Sequence, residues 1–317
     1  MADEAASDGG STSTPAETAA SPSAPSEEPT YQAEIEVGAE PGYVAIGDGS
    51  VWVGNHVEGS VSRIDPSSDT VIETIPIAGE PTGMLFAFGD AWTFGAMTGL
   101  LQRIDAAENK VVARIRLQGR GGAINGLAAG AGYVWAAEDS GSVYQIDPRT
   151  NRIETRIRVL RSGCGPSGNL TFAAGSIWYA CWDQPFVWRI DAASRDIESK
   201  IRVGPMAGSP SPGKGAVWIP LMSTGVVVAV DPATDRSRKR LRVADQVEQV
   251  RVMGGDMWVR ASDTELLHVD LKKMKVSDRY ELPPAPIPGG GLALGFGSVW
   301  AANFGEGTVW RIAAARS

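Results

Sequence analysis

The stretch "GDGSVWVGNHVEGSVSRIDP", from Gly47 to Pro66, decides the fold. It contains two short β-like runs, "SVWV" and "SVSRI", on either side of a glycine-bearing turn. In the first run Val51 and Val53 point to one face of a strand and Trp52 points to the other, which is the period of two typical of β structure. The stretch therefore predicts a β-hairpin with apolar residues on both faces.

The same unit recurs seven times along the chain. Each copy has a tryptophan just after a glycine-containing turn, and successive tryptophans lie 40 to 43 residues apart. "RID" or a variant of it follows, its last residue twelve or thirteen positions after each tryptophan. A period of about 40 residues built from short strands is typical of the blades of a β-propeller, because one blade cannot bury both of its faces alone. The repeated tryptophans are Trp52, Trp92, Trp135, Trp178, Trp218, Trp258 and Trp300.

The two chain ends predict how the ring closes. The seventh unit stops at "TVWRIAAARS", after its third strand, whereas "YQAEIEVGAEP" (Tyr31 to Pro41) matches the fourth-strand segment "VIETIPIAGEP" (Val71 to Pro81) of the first unit. We therefore predict an all-β fold over residues 31–317, a seven-bladed β-propeller of four-stranded antiparallel blades whose last blade is completed by the N-terminal strand. The tryptophans should be core wedges between blades, and the Asp of "RID" should accept backbone N–H bonds in an Asx-type turn.

Composition limits the classes of partner. Residues 1–30 are rich in Ser, Thr, Pro and Ala and contain six acidic residues but no Lys or Arg, which predicts a disordered acidic tether. These six charges account for most of the net charge of −8, so the rest of the chain carries a net charge of only −2. A nearly neutral domain gives no basis for nucleic-acid binding. The basic run "RSRKRLR" (Arg236 to Arg242) is predicted to be a solvated edge strand.

No apolar run is long enough for a membrane span. We expect a monomer that is exported, either secreted or anchored to a bacterial cell surface, rather than cytoplasmic.

The repeated pattern of "GSVWV", "GSVSRIDP" and "TIPI" resembles the YVTN-type propellers and the streptogramin (virginiamycin) B lyase-like propellers, over residues 31–317. The resemblance implies the propeller fold. Lyases of that family use a His base with acidic and His partners around a magnesium ion to open a lactone by elimination. This sequence has only His56 and His268, and His268 occupies the arginine position of "RID", where we expect a structural role. The complete lyase site is therefore not carried over, and His56 with Glu138 as its partner is the candidate catalytic pair.

The residue three positions after each tryptophan is expected at the mouth of the central channel, and it varies from copy to copy although the scaffold positions hardly vary. Oxygen donors from Asn55, Glu138 and Asn303 suit calcium or magnesium. Gluconolactonase-like propellers, which are similar in general architecture, hold a divalent cation with Glu and Asn. The alternative is that these polar residues only solvate the channel.

The fourth unit carries both cysteines, Cys164 and Cys181, which the repeat places at the same rim of one blade. A disulfide between them is predicted, and it agrees with export to an oxidising compartment. The competing interpretation is a reactive thiol pair, for which the local sequence offers no His. Trp182 and Asp183 follow directly, and an exposed Trp there is a candidate for gripping a sugar or a partner's side chain, or for capping the blade.

Two functions therefore remain open. The first is non-catalytic binding of a protein or an extracellular ligand, without a cofactor, at the channel mouth. The second is a metal-assisted lyase or lactonase that uses the same mouth with one divalent cation. The candidate ligand-binding residues are Asn55, His56, Glu138, Trp182, Asp183 and Asn303.

Overall fold

The computed structural model describes residues 31–96, 98–117, 124–164, 168–262, 264–284, 287 and 289–314. The predicted tether, residues 1–30, lies outside these described residues. Within them the chain forms 28 strands in seven four-stranded antiparallel sheets, together with one 3-10 turn at Met222–Thr224. The prediction of an all-β propeller with seven blades is confirmed.

Each of the first three blades uses four consecutive strands, ordered from the channel outward. Blade 1 is β2 (Pro41–Gly47), β3 (Ser50–Asn55), β4 (Ser60–Asp65) and β5 (Thr70–Pro76). Blade 2 is β6 (Pro81–Ala87), β7 (Asp90–Gly95), β8 (Leu100–Asp105) and β9 (Lys110–Arg116). Blade 3 is β10 (Ile124–Gly130), β11 (Tyr133–Glu138), β12 (Ser142–Asp147) and β13 (Arg152–Arg158).

Blades 4 to 6 follow the same order, and blade 7 takes one strand from the other end of the chain. Blade 4 is β14 (Gly168–Ala173), β15 (Ser176–Cys181), β16 (Phe186–Asp191) and β17 (Ile197–Arg202). Blade 5 is β18 (Ser211–Gly213), β19 (Ala216–Leu221), β20 (Val226–Asp231) and β21 (Arg236–Arg242). Blade 6 is β22 (Gln249–Met253), β23 (Asp256–Ser262), β24 (Glu265–Asp270) and β25 (Lys275–Glu281). Blade 7 is β26 (Leu292–Gly295), β27 (Ser298–Asn303), β28 (Thr308–Ala313) and β1 (Tyr31–Glu36).

The inner hairpin of each blade turns through two residues, and the second is always glycine. In blade 1 these residues are Asp48 and Gly49, with φ of 51° and 67°. Positive φ at both central positions defines the type I′ turn, whose twist matches that of the flanking strands. Glycine reaches this conformation without steric cost, so the repeated glycine just before each tryptophan fixes the register of the hairpin.

Each repeated tryptophan is buried in a core shared by two neighbouring blades. Trp52 packs with Ala91 and Ile104 of blade 2, and Trp300 packs with Val51 and Val53 of blade 1. None of the seven indoles is more than 4% exposed. The prediction that the tryptophans are wedges between blades is confirmed, and the core of the protein is therefore a ring of seven interfaces rather than one central cluster.

The arginine of "RID" ties each blade to the next in four of the seven interfaces. Arg311 in blade 7 lies 5.1 Å from the ring centre of Trp300 and donates to Pro66 O at 2.7 Å and to Asp69 Oδ1 at 2.8 Å in blade 1. Arg63, Arg103 and Arg189 make the equivalent contacts to blades 2, 3 and 5. Each arginine thus stacks on its own tryptophan and pairs with the outer turn of the next blade.

The aspartate of "RID" forms the predicted turn. Asp65 Oδ1 accepts the backbone N–H of Ser67 at 2.8 Å, and Asp270 Oδ1 accepts those of Lys272 and Lys273 at 2.8 and 2.9 Å. These hydrogen bonds favour the charged form, and the pKa of Asp65 is lowered by its bonds from Ser67. The Asx-turn prediction is confirmed.

The ring closes as predicted, through β1 of blade 7. This strand pairs antiparallel with β28, Ile35 of β1 is 4% exposed, and Trp310 Nε1 donates to Glu34 Oε1 at 3.1 Å. The basic run Arg236–Arg242 is the exposed outer strand of blade 5, also as predicted. Among the described residues, no helix is long and apolar enough to cross a membrane.

Candidate functional site: the channel and its mouth

The inner strands β2, β6, β10, β14, β18, β22 and β26 surround a central cavity of about 820 Å³. Its mouth is the end at which these strands begin, beside the turns that join the second and third strands of each blade. A volume of this size is within the range of small-molecule sites. The channel and this mouth are therefore the concave surface on which the predicted residues must be placed.

Three of the predicted residues end second strands near the mouth, but their side chains are interior. Asn55, Glu138 and Asn303 are 0%, 2% and 1% exposed. Asn55 and Glu138 form hydrogen bonds to the turn or the third strand of their own blades. The role of the three residues as ligands at the mouth stays a prediction.

Glu138 is held within its own blade. Its Oε2 accepts hydrogen bonds from Ser140 Oγ at 2.5 Å and Tyr144 Oη at 3.0 Å, and Arg156 Nη2 lies 3.9 Å away. Burial, followed by the charge of Glu138, raises the pKa of Tyr144 to about 12. Glu138 is therefore a buried acceptor that orders the turn and the phenol beneath it.

The two asparagines lie on adjacent blades. Asn55 Nδ2 donates to Ser60 Oγ at 2.8 Å and Ser62 Oγ at 2.9 Å. Asn55 Oδ1 and both side-chain polar atoms of Asn303 have no hydrogen-bond partner among the described residues. Glu138 lies on blade 3, which blade 2 separates from blade 1, and its hydrogen bonds stay within blade 3.

Among the described residues, no three His, Cys, Asp or Glu side chains converge as a potential metal site. Asn55 and Asn303 carry amides and lie outside these residue types, so the role of Asn55, Glu138 and Asn303 as calcium or magnesium donors stays a prediction.

His56 lies at the mouth, and its partner is Glu80 rather than the predicted Glu138. Its Nε2 is 3.3 Å from Glu80 Oε2, and its Nδ1 is 3.3 Å from Pro81 O, both on the connection into blade 2. The imidazole is about a quarter exposed, and its ring centre is 6.1 Å from that of Phe304. The arrangement joins the rim of blade 1 to that of blade 2 and leaves a half-exposed carboxylate beside the ring.

His268 is structural, as expected. It stacks on Trp258 with ring centres 4.9 Å apart, and its Nε2 and Nδ1 lie 3.0 Å from Asp256 Oδ1 and 2.9 Å from Asp278 Oδ2. It takes in blade 6 the place of the stacked arginine of blades 1, 2, 4 and 7. The hydrogen bond from His268 lowers the pKa of Asp278.

Cys164 and Cys181 form the predicted disulfide, with Cα atoms 5.6 Å apart. Cys164 N–H also donates to Asp139 O of blade 3 at 2.8 Å. The bond therefore joins the connection that enters blade 4 to the end of β15, directly before the turn at the mouth. Both cysteines are fully buried, which leaves no accessible thiol at this rim.

Trp182 and Asp183 lie in that turn and are both exposed. Trp182 is 36% exposed and lines the channel mouth. Its backbone is fixed by the disulfide on one side and by the bond from Gln184 N to Cys181 O, 3.1 Å, on the other. Of the six residues predicted to bind a ligand, Trp182 is the one that lines the channel.

Sequence reasoning missed the polar side of the channel. Asn169, Thr171, Ser211 and Arg251, on blades 4 to 6, line the cavity. An arginine inside the inner-strand run "QVRVM" was the available signal, because inner strands of the other blades carry no charge within their bounds. The period of two along a strand does not show which side chains of an inner strand face the channel.

Of the comparisons with known proteins, the one with solved structures supports this architecture. No family model matches the sequence, and no curated protein matches it. The fold and its open channel define the class of protein, which is a seven-bladed β-propeller with a virginiamycin B lyase-like fold.

One solved structure that it resembles is virginiamycin B lyase from Staphylococcus aureus. The TM-score is 0.76 at 15% sequence identity, and the alignment covers 89% of this chain and 98% of the lyase chain. This likeness establishes the fold.

Proposed function

We propose that this protein is a non-catalytic, extracytoplasmic binding module that takes an extracellular ligand into the mouth of its central channel. The observation that carries the proposal is Trp182, an exposed indole at the mouth of a cavity of about 820 Å³. Large exposed aromatic side chains beside a concave surface are typical anchors of binding sites.

The disulfide supports this function in two ways. It fixes the backbone beside Trp182, and a ligand that meets an ordered aromatic loses less free energy to ordering on binding. A disulfide between two buried cysteines is also typical of proteins that fold in an oxidising compartment.

The test is a ligand-observed NMR screen of soluble fragments against the full chain, repeated with Trp182→Ala. Truncation of an aromatic anchor should weaken fragment binding about tenfold or more. The matched control is Ile72→Ala, which removes an exposed apolar side chain from the outer strand of blade 1, away from the channel. Fragments that bind equally to all three proteins would contradict a site at the mouth.

The second candidate is the metal-assisted lyase or lactonase, and the contact between His56 and Glu80 favours it. A carboxylate beside an imidazole at an accessible rim is the arrangement that a general base requires. The cation would be calcium or magnesium, and Asn55, Glu138 and Asn303 would supply oxygen donors to it.

Elemental analysis for divalent metals and a screen for lactone opening test this candidate. His56→Ala and Glu80→Gln should abolish turnover without unfolding the ring, and Glu138→Ala should lower the melting temperature through loss of a buried acceptor. Turnover that survives both rim variants would overturn an active site at His56.

A further inference from the structure

Arg251 is the central residue of the inner strand β22. Its guanidinium Nη1 donates to Val250 O at 2.9 Å. Across the part of the chain that the structure describes, no carboxylate lies within 4.0 Å of this guanidinium, although sixteen ion pairs are formed elsewhere. Arg251 thus has a backbone partner but no counter-charge.

Among the described residues that line the channel, Glu248 is the other charged one, and its Oε2 faces Arg260 Nε at 3.5 Å. Desolvation by the surrounding protein lowers the pKa of Arg251 to about 10, so the side chain is still a cation at neutral pH. Arg251 is half-buried where it lines the channel, and an anion bound there would supply the charge partner that the described residues do not.

The register of the blades shows what surrounds Arg251 at its own level. Arg251 pairs with Trp258, Thr171 with Trp178, and Ser211 with Trp218, so these three residues occupy the same position on blades 6, 4 and 5. Ser211 Oγ accepts the N–H of Val252 at 3.1 Å, which leaves its own proton free to donate. Blades 4 and 6 therefore place a half-buried hydroxyl group and a guanidinium along one arc, with the buried Ser211 hydroxyl between them.

The opposite arc is apolar. The equivalent residues on blades 1 to 3 are Ala45, Leu85 and Ala128, each paired with the tryptophan of its blade. Of these, Ala45 and Leu85 line the cavity, Leu85 beside Met84 and Phe86. A ligand at this level meets hydrogen-bond donors and positive charge on one side and hydrocarbon on the other.

We propose that the channel binds an amphiphilic monocarboxylate, whose carboxylate pairs with Arg251 and whose apolar body packs along Leu85 towards the mouth. The inference rests on the proposed function, since it takes the channel as the ligand site, and it adds the chemical class of the ligand. Arginine presents two N–H groups in the geometry that a carboxylate accepts. The cavity is large enough for a chain or ring system attached to that group.

Isothermal titration calorimetry of the full chain with octanoate, octanamide and acetate tests the inference. Octanamide keeps the apolar chain without the charge, and acetate keeps the charge without the chain. A charge-assisted pair predicts that octanoate binds about tenfold or more tightly than octanamide, and acetate should be weaker than octanoate.

Two variants separate the role of Arg251 from a general effect of charge. Arg251→Gln keeps hydrogen-bond donors and should make octanoate and octanamide bind with similar affinity. Arg242→Gln removes an equal charge from the exposed outer strand of blade 5 and should leave the preference for octanoate unchanged. The melting temperature of each variant confirms that it is folded.

The outcomes separate this inference from the proposed function. Equal binding of octanoate and octanamide, no binding of octanoate, or a preference that survives Arg251→Gln would overturn the carboxylate assignment. If fragments still bound in a Trp182-dependent manner, the channel would remain the ligand site for another class of ligand. The absence of any Trp182-dependent binding would overturn both proposals.

Discussion

Arg311 shows how a single repeated residue holds two blades together. Its Nε donates to Ser298 Oγ at 3.0 Å in its own blade, while its Nη1 donates to Pro66 O and Asp69 Oδ1 in blade 1. The side chain is 17% exposed, so these bonds are largely shielded from water. Arg311 therefore stabilises the interface between blade 7 and blade 1, beside the strand pair in which the two ends of the chain meet.

Arg311→Gln should lower the free energy of unfolding by about 2 kcal/mol, because hydrogen bonds that involve a charged group contribute about 1.5–3 kcal/mol. Urea unfolding followed by tryptophan fluorescence measures the change. Arg242→Gln is the control, since its partner Asp245 is fully exposed, and surface pairs contribute about 0–1 kcal/mol. Equal effects of the two substitutions would contradict the role of Arg311 in joining blades.

The turn between the third and fourth strands links the repeated aspartates to acid stability. The side-chain bond from Lys273, followed by its backbone N–H, lowers the pKa of Asp270 to about 2, and hydrogen bonds also lower the pKa values of Asp65, Asp147, Asp191 and Asp231. A carboxyl whose folded pKa lies below its unfolded value of about 3.9 stabilises the protein above that value. This contribution is lost as the pH falls through the folded pKa.

Asp270→Asn keeps an oxygen acceptor for the turn but removes the titrating group. The melting temperature of the wild type should exceed that of the variant at pH 7, and the difference should shrink between about pH 5 and pH 2. Thermal melts across this range measure it. A difference that is constant with pH would contradict the linkage.

The disulfide closes a segment with a sequence separation of 17 residues at the blade that carries Trp182. Loop-closure entropy for about this length predicts that reduction lowers the free energy of unfolding by about 3 kcal/mol. Denaturant unfolding with and without a reducing agent measures the loss, and mass spectrometry after alkylation reports the thiols. The variant with both Cys164→Ser and Cys181→Ser should be insensitive to the reducing agent. Sensitivity in that variant would show that the reductant acts elsewhere.

The elements were predictable from the sequence because their signals are local. A tryptophan after an X-Gly turn, an alternating strand and an "RID" turn each depend on a few neighbouring residues, and seven copies reinforce one another. The link from Arg311 to blade 1 was not predicted, because it joins residues that are far apart in the sequence and meet only once the ring has closed.

The candidate site was predicted less well for a physical reason. Asn55 and Glu138 are the last residues of their strands, as the repeat indicates. The direction in which such a side chain points depends on strand twist and on partners such as Tyr144, which the sequence does not show. The position of Trp182 was easier to predict, because Trp182 directly follows Cys181, and the disulfide of Cys181 fixes the backbone there. Arg251 required knowledge of which face of the inner strand meets the channel.

At the scale of the molecule, the ring depends on β1 for closure. Deletion of residues 1–36 should lower the free energy of unfolding by at least about 3 kcal/mol, because it removes Ile35 from the core and leaves β28 as an open edge. Deletion of residues 1–30 is the matched control and should leave the melting temperature unchanged. Calorimetry compares the two truncated chains. Equal stability would contradict closure by the N-terminal strand.

A closed ring leaves the channel as the surface to which all inner strands contribute, and Trp182 and Arg251 mark its mouth and its middle. The most direct measurement is a crystal structure of the full chain soaked with octanoate. We predict density in the channel, with the carboxylate within hydrogen-bond distance of the Arg251 guanidinium and the alkyl chain beside Leu85. Octanoate bound only outside the channel, or a channel without octanoate at a concentration that saturates binding in solution, would contradict the account.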